Sequence, residues 1–340
     1  MFLLPFHLPG KSRLPDGSFF SLALSWTAFF VGGCFQPLVG QSGDAARQPK
    51  PVPLMQAIPL PYDQVSLQHQ GVERMRFHFA NTLRRPFVFP IQGPSGRSLT
   101  RMGHPHDPVG HSHHNSFWVS HYRVNGFDFW GDRGADKGVI RHDRVEKLED
   151  GDHHAAVISS GTWLGPDQQV LLKEKRRTAL RPLEDGSYLL LLDLHLQAVL
   201  PEVTFGKTPF GLVGVRMAKT LGVHDGGGRI LNSEGSINEE GVFWKPAKWV
   251  DYAGLIAPER VEGITLMDHP ANPNHPTVFH VRNDGWMGAS LTFHEDRVLQ
   301  KGETLQLRYG LLVHAQWLDV PRLDARYRAF AELPLHHFDP

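Results

Sequence analysis

The sequence predicts an all-β protein: a large antiparallel β-sandwich, or supersandwich, with one short C-terminal helix. Three observations carry this. From about Gln70 onward, short segments alternate apolar and polar residues at the two-residue period of strands with one buried face. Turn residues divide these segments at regular intervals. Only Val320 to Leu333 has helical periodicity, with Pro321 suited to the first turn and Leu323, Tyr327 and Phe330 on one face.

Taken in order, RMRFHFAN places Met75, Phe77 and Phe79 on one face, and PFVFPI follows Arg84-Arg85. SFWVSHYRV and FDFWG are joined by Asn125-Gly126, a strong signal for a two-residue hairpin. VIRHDRVEKLE, HAAVISSGTWL, QVLLKEKRRTAL and YLLLLDLHLQAV come next, divided at Asp150-Gly151, Gly165-Pro166-Asp167 and Glu184-Asp185-Gly186. Their spacing predicts an antiparallel meander. In the second half GGGRILNSEG and GVFWKPAKWVDYAG read as strands linked by wide loops. GITLMDHP, TVFHVRN, GASLTFH and ETLQLRYGLLVH read as plain strands. About 270 residues of β structure exceed a simple immunoglobulin-like sandwich and fit two larger sheets.

Near the N-terminus, FFSLALSWTAFFVGG is uncharged and apolar, with Lys11 and Arg13 before it. It is short for a membrane span of about 20 residues and suits the core of a signal peptide. Small residues lead into Cys34, which reads as a lipidation site. Secretory cleavage near Val39-Gly40, or a misassigned start, are the other readings. The predicted organisation is a signal over 1–34, a polar Gly- and Pro-containing linker over 35–55, and one domain over 56–340. The predicted location is exported: periplasmic, or lipid-anchored at a membrane. A misassigned start would leave the protein cytoplasmic.

Lys+Arg and Asp+Glu balance at 35 each, which gives no long-range attraction to nucleic acid. The single cysteine excludes an intramolecular disulfide and multi-thiolate zinc sites. A divalent metal, if one is used, would rest on His, carboxylates and water. The 21 histidines are the compositional outlier. No P-loop, dinucleotide fingerprint, G-x-S-x-G elbow or H-E-x-x-H is present.

Histidines concentrate in GHPHDPVGHSHHNSFWVSH, at His104, His106, His111, His113, His114 and His121. On an extended chain His111 and His113 share one face and His114 takes the other. Such a pair can bind a metal ion or move protons near neutral pH; a hydrogen-bonded loop cap is the structural alternative. The aromatics from Phe117 to Trp130 read mainly as core, with Trp118 and Trp130 the candidates for a wall against a sugar ring. The segment DHPANPNHPTVFHVR supplies Asp268, His269, His275, His280 and Arg282 on a proline-stiffened loop running into a strand. A rigid turn is its structural reading. Arg216 stands in a segment with few other charges, and Glu234 lies in NSEG.

These motifs, HSHHNSFWVSHYRVNGFDFW, LNSEG, KPAKWVDYAG, MDHPANPNHPTVFHVR and GETLQLRYGLLVH, follow the order of the bacterial PmoA-like family, which the chain resembles over roughly residues 70 to 332. Many relatives carry D-H-P-H-H-R-G-L-W at the first motif. Here Gly110 precedes His111 and Asn115 replaces the arginine, so roles resting on those two positions do not transfer. The family's methane-oxygenase label conflicts with a chain that reads as β after residue 33. The resemblance implies a galactose-mutarotase-like supersandwich, in which histidines and a carboxylate act on sugar rings.

The expected function is therefore a carbohydrate-active enzyme (a lyase, hydrolase or epimerase) acting on a sugar or oxidised glycoside. His113, His114 and His280 are the expected acid/base groups, with Glu234 or Asp268 as partner carboxylate. Arg216, Arg282, Trp118, Trp130 and His275 are expected to bind a small-molecule or oligosaccharide substrate. A metal-dependent alternative draws on His111, His113 and His269. A sugar-binding lipoprotein without turnover is the third reading.

Overall fold

A computed structural model describes residues 51–104, 106–107 and 109–338. The expected signal, Cys34 and most of the expected linker lie outside the described residues. No helix among the described residues is long and apolar enough to cross a membrane.

The strands, in chain order, are β1 (Met55–Leu60), β2 (Gln64–His69), β3 (Val72–His78), β4 (Phe87–Ile91), β5 (Phe117–His121), β6 (Val139–Glu149), β7 (Ala155–Leu164), β8 (Val170–Pro182), β9 (Tyr188–Ala198) and β10 (Glu202–Phe205). They continue with β11 (Gly211–Arg216), β12 (Arg229–Asn232), β13 (Lys245–Pro246), β14 (Trp249–Ala257), β15 (Arg260–Asp268), β16 (Val278–Arg282), β17 (Trp286–Ser290), β18 (Arg297–Gln300) and β19 (Thr304–Ala315). One sheet has nine strands in the order β1-β2-β3-β4-β5-β11-β17-β16-β13. The other has eight, β12-β14-β15-β19-β9-β8-β7-β6, and β10 pairs with β18. Every strand pairing is antiparallel, and β6 to β9 form the expected meander.

Alternation assigns the layers. Phe117, Val119, Val213, Val215, Phe279, Val281, Met287 and Ala289 from the nine-stranded sheet join one core with Val157, Leu172, Leu190, Leu194, Leu266 and Leu311 from the eight-stranded sheet. The alternate residues Trp118 and Trp286 cluster with Phe87 and Trp130 on the opposite side of the first sheet. The outer face of the second sheet is covered by α3 (Val320–Ala331), which buries Leu323, Tyr327 and Phe330 against Leu191, Met267 and Leu312. The Asp319 side chain accepts from Arg322 N at 3.1 Å and caps this helix. The Phe330 ring lies so close to β19 that a Cβ at Gly310 would come within 2.8 Å of it.

The structure corrects several sequence expectations. β1 and β2 precede Gln70; their turn places Tyr62 and Asp63 at positive φ without a glycine, so no hairpin signal was legible. Asn125-Gly126 does turn the chain, but Val124 and Phe127 form only an isolated bridge, and FDFWG is not a strand. GVFWKPAKWVDYAG begins within a short helix, α2 (Asn238–Val242), and another, α1 (Val223–Gly226), precedes β12.

Because Phe330 is buried in the layer that seals this outer face, Phe330→Ala is expected to cost about 3–4 kcal/mol in urea unfolding. The nine-stranded sheet, on the far side of the core, is expected to keep its own packing.

Candidate functional site

The site is built on one face of the nine-stranded sheet. Across four strands, Trp118 pairs with Gly214, Gly214 with Gly288, and Gly288 with His280. Two residues along, on the same face, Arg216 pairs with Trp286 and Trp286 with Arg282. The two glycines are required by Trp286. A Cβ at Gly214 would meet its indole at 2.4 Å, and one at Gly288 at 2.8 Å. The indole therefore lies down over the sheet and makes a floor.

His114 rests on that floor against two indoles that also touch each other. Its ring stacks on Trp286 at 5.1 Å and 17°, and on Trp118 at 5.4 Å and 27°. His113 meets His114 edge-on at 4.5 Å, and His111 approaches both, at 6.0 and 4.9 Å. The expected division of faces does not occur. Residues 109–113 form turns rather than a strand, so all three rings converge.

Buried Arg85 holds this loop in place. It donates to His113 O at 3.1 Å, Asn115 Oδ1 at 3.0 Å, Trp130 O at 2.8 Å and Gly131 O at 2.9 Å. One guanidinium thus ties the histidine turn to the Trp130 wall, and it stays charged although burial lowers its pKa to about 10. Asp128 fixes the same wall by accepting from Trp130 N and Gly131 N at 2.6 and 2.9 Å, while its other oxygen pairs with Lys137. Asp107 accepts from His111 Nδ1 at 2.8 Å.

Together these groups enclose a cavity of about 510 Å³ lined by His111, His113, His114, Tyr122, Trp130, Phe210, Arg216, His280, Arg282, Asp284 and Trp286. Its size and mix of aromatic and polar walls suit a small molecule. Among the described residues, no side chain hydrogen-bonds a ring nitrogen of His113, His114 or His280. His114 Nδ1 and His280 Nδ1 are also buried.

Burial, with the charge of Arg85, lowers His113 to about 4. Burial, with Arg282, lowers His280 to about 4. Burial, with His113 and Arg216, holds His114 well below the usual imidazole range. All three are neutral at pH 7. Asp284 accepts from Arg216 Nη1 at 2.8 Å and from His104 Nε2 at 3.0 Å. Burial pushes this carboxyl up, but those two partners outweigh it and hold the group at about 2. His104 Nδ1 accepts from His106 N at 3.1 Å, which fixes His104 as the neutral Nε2–H tautomer.

The structure therefore brings His111, His113, His114, Arg216, Trp130, His280 and Arg282 to one cleft, with Trp118 beneath it. It places the other candidates elsewhere. Glu234 is exposed on the loop after β12, accepting from Ser233 Oγ. Asp268 closes a buried network, accepting from Asn272 Nδ2 and His275 Nδ1 at 2.8 Å each and from Thr277 N at 3.2 Å. His275 bonds onward to Tyr327 of α3 at 3.2 Å, and His269 packs on Phe330 at 5.4 Å. These three pin the loop to the helix on the outer face of the second sheet. The carboxylate of the cleft is Asp284. Its Asn-Asp-Gly setting reads as a turn, and only the pairing of β11 with β17 reveals its partner Arg216. Phe210 and Trp286 were likewise missed as lining, and Tyr122 comes from the Phe117–Trp130 aromatics that read mainly as core. No group of three His, Cys, Asp or Glu among the described residues is arranged to hold a metal ion. In particular, His269 is remote from His111 and His113.

A family model described as a family of unknown function, DUF6807, matches residues 64–328. No curated protein matches the chain. Solved structures with some likeness include a GalM/aldose epimerase homologue from C. elegans, at 7% identity and TM-score 0.34, covering 78% of this chain and 99% of that one. A galactose 1-epimerase from Lactobacillus acidophilus shows 6% identity and TM-score 0.35, covering 75% and 95%.

Arg85→Met would leave four acceptors short of a donor at once. Expected is a loss of about 3–5 kcal/mol in chemical unfolding, with a changed tryptophan emission from the loosened Trp130 wall. An unchanged midpoint would remove Arg85 from its anchoring role.

Proposed function

We propose that this chain, which belongs to the DUF6807 family, is a carbohydrate-active enzyme using neutral imidazoles as proton acceptors in the cleft on the nine-stranded sheet. The observation that carries this is the convergence of His113, His114 and His280, with unengaged ring nitrogens, on a cavity walled by Trp130, Trp286, Phe210 and Tyr122. Indole and phenyl faces pack against the C–H faces of sugar rings. A neutral imidazole a hydrogen-bond length from a ring carbon or hydroxyl can accept its proton.

The reaction class follows from what the cleft offers. Hydrolysis by the usual glycosidase route uses two carboxyl groups, one of them protonated. Here the lining carboxylate is Asp284, whose two oxygens are engaged by Arg216 and His104 and which is held ionised. That favours proton abstraction from a sugar over two-carboxylate hydrolysis, and so an epimerase or lyase. A sugar oxidised next to the labile C–H would be the more acidic substrate. Export to the periplasm or a membrane surface is the location proposed with this activity.

The test is incubation with a panel of reducing and oxidised sugars in D2O, with deuterium uptake and new products followed by NMR. His114→Ala and His280→Asn are each expected to lower turnover by about 10²- to 10⁴-fold. Full turnover in both variants would remove imidazole catalysis, and binding without turnover would favour a sugar-binding role.

The pH profile is a separate check. A base must be deprotonated to act, and His113 and His280 are held at about 4. The acid limb of kcat/KM should therefore fall about tenfold per pH unit below that value and stay level through neutrality. An acid limb centred on the ordinary imidazole pKa would instead point to an exposed histidine.

A further inference from the structure

We infer that the ligand of this cleft carries a carboxylate, bound at the Arg216–Arg282 end, so that within the sugar reading above the substrate class is an acidic sugar. The inference rests on that reading for the sugar and on the balance of donors and acceptors for the charge.

A neutral sugar presents hydroxyls that both donate and accept, so its site needs acceptors as well as donors. The acceptors this cleft offers are the unengaged nitrogens of its neutral imidazoles, and it has no carboxylate free to receive hydroxyl protons. Asp284 is its lining carboxylate, with one oxygen on Arg216 and the other on His104. Donors are in surplus. Arg216 is 1% exposed and lines the cavity, yet its Nε and Nη2 have no hydrogen-bond partner. Those two nitrogens form one edge of the guanidinium, and that edge matches the two oxygens of a carboxylate. Arg282 rises from the same cross-strand row on the other side of Trp286, about 10 Å away by strand spacing. Its own ion pair, to Glu239, is half exposed.

A third arginine stands behind this end. Arg101 spends its guanidinium on three carbonyls, Met217 O, Gly103 O and Asp284 O, and forms no ion pair among the described residues. Its charge reaches Arg216 and His114. At this end Arg216 pairs with Asp284 and Arg282 with Glu239, while Asp225 acts on Arg101, so it is the unpartnered edge of Arg216 that is left for an anion. An anion bound there would also offset the cations that help hold His114 and His280 low, moving both toward the range useful for proton transfer.

The experiment is a ligand-observed NMR titration of the full chain. It sets glucuronate, galacturonate and mannuronate, with their short oligomers, against the matching neutral hexoses and oligomers, with acetate as a control. At least one hexuronate should bind about tenfold or more tightly than its neutral counterpart. The gap should shrink as salt is raised. Arg216→Gln should abolish the preference. Because Arg216 belongs to a buried pair, the half-exposed Arg282→Gln serves as a second variant and should reduce the preference severalfold in a protein with wild-type circular dichroism.

Equal binding of neutral and acidic sugars would overturn the carboxylate inference and leave the sugar reading standing. Acetate binding as tightly as every hexuronate would overturn the sugar reading and leave only an anion site. No binding by any of them would overturn both.

Discussion

Two absent side chains govern the architecture of the cleft. Gly214 and Gly288 stand next to each other across β11 and β17, and the space they leave is filled by the Trp286 indole laid flat over the sheet. His114 is stacked on that indole, His113 is placed against His114, and His280 completes the row on the far side. With a methyl at either glycine the indole would have to lift, and the imidazole above it would lose its seat. The site therefore depends on strand register: a one-residue slip of β17 would turn Trp286 into the core and Met287 toward the ligand.

The electrostatic design follows from building on a sheet with a sealed floor. Stacked against both Trp118 and Trp286, the His114 ring is removed from water, and burial favours its neutral form. Guanidinium groups deepen the effect: Arg85 acts on His113, Arg216 on His114 and Arg282 on His280. These arginines also anchor structure, since Arg85 ties two loops together and Arg216 holds Asp284. Positioning and pKa control thus come from the same groups, and a change made for one alters the other.

Much of this was legible in the sequence. The meander from β6 to β9 follows from alternation and turn residues, and the face of α3 follows from its periodicity. His113, His114, His280, Arg216 and Arg282, which the structure brings to one cleft, stand out in the sequence by residue type: the first two in a dense histidine run, the others on strands. What was not legible is which strands become neighbours. β5 lies beside β11, nearly a hundred residues later, and β11 beside β17, so Trp118, Gly214 and His280 share a row that no local window contains. Asp268 and Asp284 show the consequence. Both are acidic residues beside a turn and a strand end, and only the sheet to which each strand belongs separates the structural carboxylate from the one in the cleft. The Arg85 anchor was hidden for the same reason, since its partners come from two later segments.

Hydrogen-bond satisfaction then separates the histidines that sequence composition left undivided. Buried polar groups in folded proteins are nearly always paired, so an unpaired one calls for a reason. His121 uses both ring nitrogens, on Thr292 Oγ1 and Arg123 N. His275 joins Asp268 to Tyr327, and His314 joins Asp251 to Ala315 O. These rings are cross-links, and the interior already supplies everything they need. His114 and His280 are also buried and His113 is half-buried, none of them has such partners, and all three line one cavity. A protein gains no stability by leaving imidazoles unpaired beside an arginine with two idle nitrogens. The arrangement makes sense if the missing acceptors and donors arrive with the ligand, so the polar groups left unsatisfied in the cleft describe the ligand's chemistry in outline.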